Sequence, residues 1–146
     1  MCRGINKKNK KYLIARRANV SLAGYWEFPG GRVEKGESDE DALKRELKEE
    51  LNISAKVNSF FSSNLHEFPN CKLLRKIYNV DIKDINFELN VHDKIKWVTL
   101  DEMKNYDFAP AEIPNIGYLW SIQLYGKNKK FLGPVHDFAG NIIPFN

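Results

Sequence analysis

Between Ser38 and Leu51 the apolar residues Leu43, Leu47 and Leu51 recur at i, i+4 and i+8, the stripe of a helix with one buried face. Ser38 stands where an N-cap is needed, Asp41 follows three residues later as in a capping box, and Asn52 suits a left-handed residue after the last turn. Tyr12–Arg16, Ala55–Leu65, Leu73–Ile82 and Lys96–Leu100 carry the β-branched and aromatic residues of strands. Ala18–Gly36 holds four of the nine glycines and reads as a structured loop. Asp101 is placed to cap a short helix through Tyr106. Pro114 suits the first turn of a last helix with Ile116, Trp120 and Leu124 on one face. Residues 126–146 form a tail with strand-like pieces around Gly133, Pro134 and Gly140. Strands mixed with a few helices predict an α+β or layered α/β/α fold, in a single domain over 1–146.

Composition narrows the class. No apolar run approaches the ~18–20 residues of a membrane span, and the lysine-rich Met1–Arg17 lacks the apolar segment of a signal peptide. Two cysteines, Cys2 and Cys71, supply neither a disulfide framework nor a Cys-rich zinc site, and Cys71 reads as a packing or surface residue. The expectation is a soluble, cytoplasmic protein. The net charge of +4 lies largely in Lys7–Lys11 and Lys127–Lys130, which read as solvated loops. It permits a polyanionic ligand, but no nucleic-acid motif accompanies it and no stable nucleic-acid partner is expected.

The segment that carries chemistry is Gly30-Gly31-Arg32-Val33-Glu34-Lys35-Gly36-Glu37, continuing to Arg45-Glu46-Leu47-Lys48-Glu49-Glu50. At helical spacing Glu46, Glu49 and Glu50 fall within an arc of about 100°. Carboxylates so close repel one another unless a positive group sits among them. Lys44 and Lys48 point elsewhere on the helix. A hard divalent cation would serve better, magnesium above all, which takes oxygen ligands and keeps waters for a substrate phosphate. Backbone oxygens of the glycine loop can reach the same ion, and Arg45 can pair with Glu37 across the loop–helix junction. Alone, Glu-x-x-Glu-Glu is the pattern of a solvated helix face; the spacing of the whole segment decides otherwise.

That spacing resembles the Nudix box, G-x5-E-x7-R-E-U-x-E-E-x-G-U with U a bulky aliphatic residue. Gly31, Glu37, Arg45, Glu46, Glu49 and Glu50 match its fixed places, Leu47 and Ile53 its aliphatic ones, and Asn52 replaces its last glycine. The resemblance implies a Nudix fold, an α/β/α sandwich around a mixed curved sheet. It also implies hydrolysis of a nucleoside diphosphate linked to another group, with Mg2+ or Mn2+ held by Glu46, Glu49, Glu50 and the Gly30 carbonyl. Those glutamates then carry the catalysis, while Gly31, Glu37 and Arg45 are structural.

Outside the box the chain is similar to the MutT branch and, at Ala109-Pro110-Ala111-Glu112-Ile113-Pro114, to bacterial CTP pyrophosphohydrolases. Trp26-Glu27-Phe28-Pro29-Gly30-Gly31 matches that branch's entry to the box, and His66-Glu67-Phe68-Pro69 also has counterparts there. By this likeness, which covers about residues 4–125, Arg17 contacts phosphate, Phe28 walls the base pocket and Glu112 reads the base. An ionised carboxylate only accepts hydrogen bonds, so Glu112 suits cytosine's amine or guanine's N1 and N2 hydrogens and rejects uracil. A surface ion pair for Arg17, core packing for Phe28 and helix capping for Glu112 are the plain alternatives.

The chain departs from related enzymes at Val91, where many carry a late glutamate. Neighbouring His92 and Asp93 could substitute, and Asp93 is taken as the catalytic candidate. The chain opens inside the first strand, at Cys2-Arg3-Gly4-Ile5, which suggests a truncated start or a shortened sheet edge. Residues 126–146 lie beyond the resemblance; Phe131, Phe138, Ile142, Ile143 and Phe145 suggest packing on the domain, with active-site cover or a dimer contact as alternatives. The expected activity is a Mg2+-dependent nucleoside triphosphate pyrophosphohydrolase acting on oxidised dGTP or on CTP/dCTP, as monomer or homodimer. ADP-ribose or dinucleoside polyphosphate hydrolysis, or a silent nucleotide-binding module, stand as alternatives.

Overall fold

A computed structural model describes residues 1–18, 22–83, 86–125, 135–136 and 142–143. The chain runs β1 (Cys2–Ile5), β2 (Lys7–Lys8), β3 (Lys11–Arg17), β4 (Trp26–Glu27), β5 (Gly30–Gly31), α1 (Asp39–Leu51), β6 (Ala55–Phe68), β7 (Cys71–Ile82), β8 (His92–Val98), α2 (Ile113–Tyr125), β9 (Val135–His136) and β10 (Ile142–Ile143). One sheet has the order β5-β1-β7-β6, with β1 parallel to β7 and the other pairs antiparallel. A second sheet runs β2-β3-β4, and β8 also pairs with β3. The first strand is therefore internal rather than a sheet edge.

Both faces of the strands are covered, as alternation along β3 shows. Tyr12 and Ile14 join a core with Ile5, Phe28, Ile77, Ile116 and Leu119, which seats α2. Leu13 points the other way, into a core with Leu43, Leu47, Leu51, Ile53 and Val80, which seats α1. The result is the expected α/β/α layering.

Helix α1 forms where its periodicity places it. Ser38 Oγ accepts a hydrogen bond from the Asp41 N–H, and Asn52 adopts φ 56°, ψ 38°, the left-handed turn that asparagine tolerates. The 18–36 stretch differs from the loop expected, because β4 and β5 lie within it; two-residue strands leave no periodicity to read. Asp101 makes no side-chain cap on the short 3-10 turn Glu102–Asn105. Thr99 and Glu102 serve instead, each side chain accepting from the other's N–H at 3.2 and 3.1 Å. On α2, Ile116 and Leu119 are buried and Trp120 is half-buried, whereas the Leu124 side chain lies outside the described residues. The expectations for Phe131, Phe138 and Phe145 also lie outside them, and of the tail only the β9–β10 pairing is described.

Candidate active site

The box is assembled around one guanidinium. Arg45 donates from Nε and Nη2 to the two oxygens of Glu37 at 2.8 and 2.9 Å, and from Nη2 to the Arg32 carbonyl at 3.0 Å. Its Nη1 donates to Glu46 at 3.1 Å and Glu49 at 3.2 Å. Arg45 thus locks the loop to α1 and is itself a positive group among the carboxylates. Those hydrogen bonds, with one from the Glu34 N–H, bring the Glu37 carboxyl down to about 2. Gly31 completes the approach: a Cβ there would lie 2.3–2.6 Å from the Glu46 carboxylate, so only the missing side chain lets Glu46 stand against the loop. At Gly30, φ is +150° and a Cβ would collide with the Cys2 carbonyl at 2.1 Å, which makes glycine necessary where β5 meets β1.

Behind this exposed cluster lies a buried one that sequence reasoning largely missed. His92 Nε2 stands 2.9 Å from Oε2 of Glu27 and 3.8 Å from Oε2 of Glu50. One ligand atom from each of these residues lies within 4.8 Å of the others. The ends of β8 and α1 meet here because the loop before β8 satisfies the carbonyls that end the helix. The Asn90 N–H donates to Glu50 O, its Nδ2 to Glu49 O at 2.7 Å, and the Glu88 N–H to Leu51 O. Burial pushes the Glu50 carboxyl up to about 8, Arg3 pulls against the rise, and Glu27 and Glu46 add to it. Burial acts upward on Glu27 too, but Arg3, the His92 hydrogen bond and Arg17 together carry it down to about 2.

The residues present fit a divalent cation. Glu50 Oε2 is buried with no hydrogen-bond partner among the described residues, and Glu46 and Glu49 stand on the same helix turns. The Gly30 carbonyl accepts from Arg3 Nη1 at 3.2 Å and keeps its second lone pair.

Asp93 is not part of this group. It follows His92 along β8, so its side chain leaves the opposite face, where both its oxygens accept from Arg16 at 2.7 and 2.8 Å. His92, not Asp93, reaches the carboxylates, while Val91 contributes its carbonyl to the Ala18 N–H.

A cavity of about 470 Å³ opens beside the buried cluster, lined among others by Arg3, Arg17, Glu27, Arg75 and Glu112, with Cys71 exposed at it. Arg17 reaches it while its Nη1 lies 3.2 Å from Oε1 of Glu27. Phe28 does not line it: the ring is wholly buried against Phe108, with centroids 6.0 Å apart, and belongs to the core. Glu112 is fully buried at the cavity wall, and among the described residues its carboxylate bonds to side chains rather than to the backbone N–H groups of α2. Arg75 donates to Glu112 Oε1 and to the Ala111 carbonyl. Asn115 Nδ2 donates to Oε2 of Glu112 at 3.1 Å. The wall is therefore not acceptor-only, as the sequence alone suggested.

Arg3 ties the two halves together. Its Nη1 donates to the carbonyls of Phe28 and Gly30 at 3.2 Å and lies 3.3 Å from Glu27, and its Nε is 3.9 Å from Glu112. Arg3 and Glu27 share one sequence signal, a charge among apolar neighbours in a short strand, whereas Arg75 and His92 stand in strands that hold other polar residues and carry no such signal. Buried charges of this kind are costly unless paired, and here each is paired with another.

A carboxylate-rich loop–helix junction opening on an arginine-lined cavity places the molecule among hydrolases of charged phosphate compounds. Residues 2–116 match the NUDIX domain, and the chain belongs to the Nudix family. It is 36% identical over 111 residues to the CTP pyrophosphohydrolase of Escherichia coli (strain K12), which covers 75% of this chain and 82% of the relative. It is 32% identical over 114 residues to the 8-oxo-dGTP diphosphatase of the same organism, covering 78% and 88%. Among solved structures, that of the E. coli ORF135 protein superposes with a TM-score of 0.77 at 32% identity, covering 88% of this chain and 92% of that one. The fold is the Nudix fold, and among the described residues no helix is long and apolar enough to cross a membrane.

Proposed function

We propose that this Nudix hydrolase is a Mg2+-dependent nucleoside triphosphate pyrophosphohydrolase, with Mn2+ able to replace Mg2+, acting on oxidised dGTP or on CTP/dCTP. The observation that carries the reading is the contact chain Arg17–Glu27–His92–Glu50, which joins the cavity to the box carboxylates. It lets one ligand lay its phosphates on the box and its base toward Arg75 and Glu112. The names of the two E. coli relatives support the same substrate class.

Water adds to a phosphorus, the bond to the bridging oxygen breaks, and a nucleoside monophosphate and pyrophosphate result. Glu46, Glu49, Glu50 and the Gly30 carbonyl would hold the ion, which when bound neutralises phosphate oxygens and acidifies water. Arg17 contacts phosphate, and Glu27 keeps its guanidinium aimed at the cavity. Glu49, the most exposed of the three glutamates, takes the proton of the attacking water.

The test is product analysis with magnesium across CTP, dCTP, dGTP, 8-oxo-dGTP, UTP, ADP-ribose and diadenosine tetraphosphate. Pyrophosphate from cytosine or oxidised guanine triphosphates, lost in Glu49→Gln, is the expected result. AMP from ADP-ribose or the dinucleotide, with every triphosphate untouched, would move the enzyme to another Nudix activity. No product from any compound would make it a binding module.

A further inference from the structure

We propose that Arg75 reads the base and that Glu112 acts through it as a positioning residue. The assignment rests on the triphosphate reading above and concerns its base end. Glu112 has little left to offer a ligand. Its residue is 0% exposed, Oε1 accepts from Arg75 with Arg3 Nε 3.9 Å away, and Oε2 accepts from Asn115. Asn115 is itself fixed, because its Oδ1 accepts from Asn64 Nδ2 at 2.8 Å. The carboxylate is thus held on both oxygens by a polar line running from half-buried Asn64 on β6 through α2 to β7.

Arg75 is nearly as buried, at 2% exposed, but its hydrogen-bonding capacity is not used up. A guanidinium has five N–H donors, and Arg75 uses one on the Ala111 carbonyl and one on Glu112. The other three have no partner among the described residues, and the side chain lines the cavity. Two anchors at known acceptors fix the plane of the fork, so its free donors keep one direction. A planar pair of donors recognises two adjacent acceptors. Cytosine presents N3 beside O2, and guanine presents O6 beside N7. Uracil places an N–H between its two carbonyls, and adenine sets an amine beside N1 and N7. The pocket selects by base acceptors rather than by base donors.

Base analogues on the unaltered enzyme separate the two assignments. The 2-pyrimidinone ribonucleoside triphosphate keeps N3 and O2 but lacks cytosine's amine, the only group through which cytosine could donate to Glu112. Its kcat/KM should stay within about threefold of CTP, while UTP falls about tenfold or more below both. Likewise 7-deaza-dGTP, which keeps every guanine donor but lacks N7, should fall about tenfold below dGTP.

Arg75→Lys keeps a cation for Glu112 but not the fork, and should bring the CTP-to-UTP ratio within about threefold. Glu112→Gln should weaken the same ratio through KM rather than kcat. A tenfold loss on removing cytosine's amine, turnover confined to 8-oxo-dGTP (whose N7 carries hydrogen), or an unchanged ratio in Arg75→Lys would each overturn the assignment and leave the triphosphate reading standing. Absence of pyrophosphate from every triphosphate would instead overturn that reading, and this assignment with it.

Discussion

Nε2 of His92 donates to Oε2 of Glu27 across 2.9 Å, joining the first residue of β8 to the strand that leads into the glycine loop. Neither residue belongs to the box, yet the bond sets the back wall of its carboxylate cluster. Glu27 in turn holds Arg3 and Arg17, so one imidazole steadies two cations at the cavity.

Loss of that imidazole should therefore be felt in catalysis. His92→Ala is expected to lower kcat/KM by about tenfold to a hundredfold, the usual cost of removing a group that orients ligands. Asp93→Ala, which breaks only the exposed pair with Arg16, should stay within about twofold. Steady-state kinetics on the two variants, with folding checked by circular dichroism, decide the matter. Equal losses would show that the β8 loop acts as a whole.

Glu49 offers the cleanest test of the metal role, because its side chain is 59% exposed and its removal leaves the core intact. Glu49→Gln should cut kcat by about 10² while the thermal midpoint barely moves. Titration of Mn2+ by electron paramagnetic resonance should show weaker binding in the same variant. Full activity there would exclude Glu49 from the machinery.

Gly31→Ala should separate stability from function. The added Cβ would meet the Glu46 carboxylate, the movable end of a side chain, so the cost in stability should stay near the low end of about 1–3 kcal/mol. The displaced carboxylate should nevertheless raise the Mn2+ dissociation constant by about tenfold. Calorimetric titration and a urea melt on one preparation measure both quantities.

Glu50 gives the metal-free protein a signature in pH. Its carboxyl is raised by burial to about 8, so between its ordinary value near 4.5 and 8 the folded chain keeps a proton that the unfolded chain has released. Over that window the contribution of Glu50 makes the protein less stable as pH rises, and above about 8 it levels off. Glu27, held near 2, acts oppositely, and its stabilisation fades only as the solution is acidified below about 4.5. Urea melts in chelator at several pH values should show the fall between 5 and 8, and Glu50→Gln should flatten it. A slope unchanged by that substitution would assign the titration elsewhere.

Local rules set much of this molecule before any packing is known. The Leu43–Leu47–Leu51 stripe, the Ser38 cap and the Asn52 turn depend only on neighbours in the chain, and each forms where its periodicity placed it. The Arg45–Glu37 bond is equally local, since eight residues of loop and helix bring the two together. The spacing of the three box glutamates follows from the helix repeat alone. What no local rule contained was the company these groups keep. Arg3, Glu27, Arg75 and His92 come from four different strands, and only the strand order and the fastening of residues 88–90 to the end of α1 bring the first three to one cavity and His92 behind it. The same tertiary facts sent Phe28 into the core, turned Asp93 toward Arg16 and closed Glu112 behind Arg75. Burial is the reason. A charge inside a two-faced sheet must find an opposite charge, and which one it finds depends on what the fold places across from it.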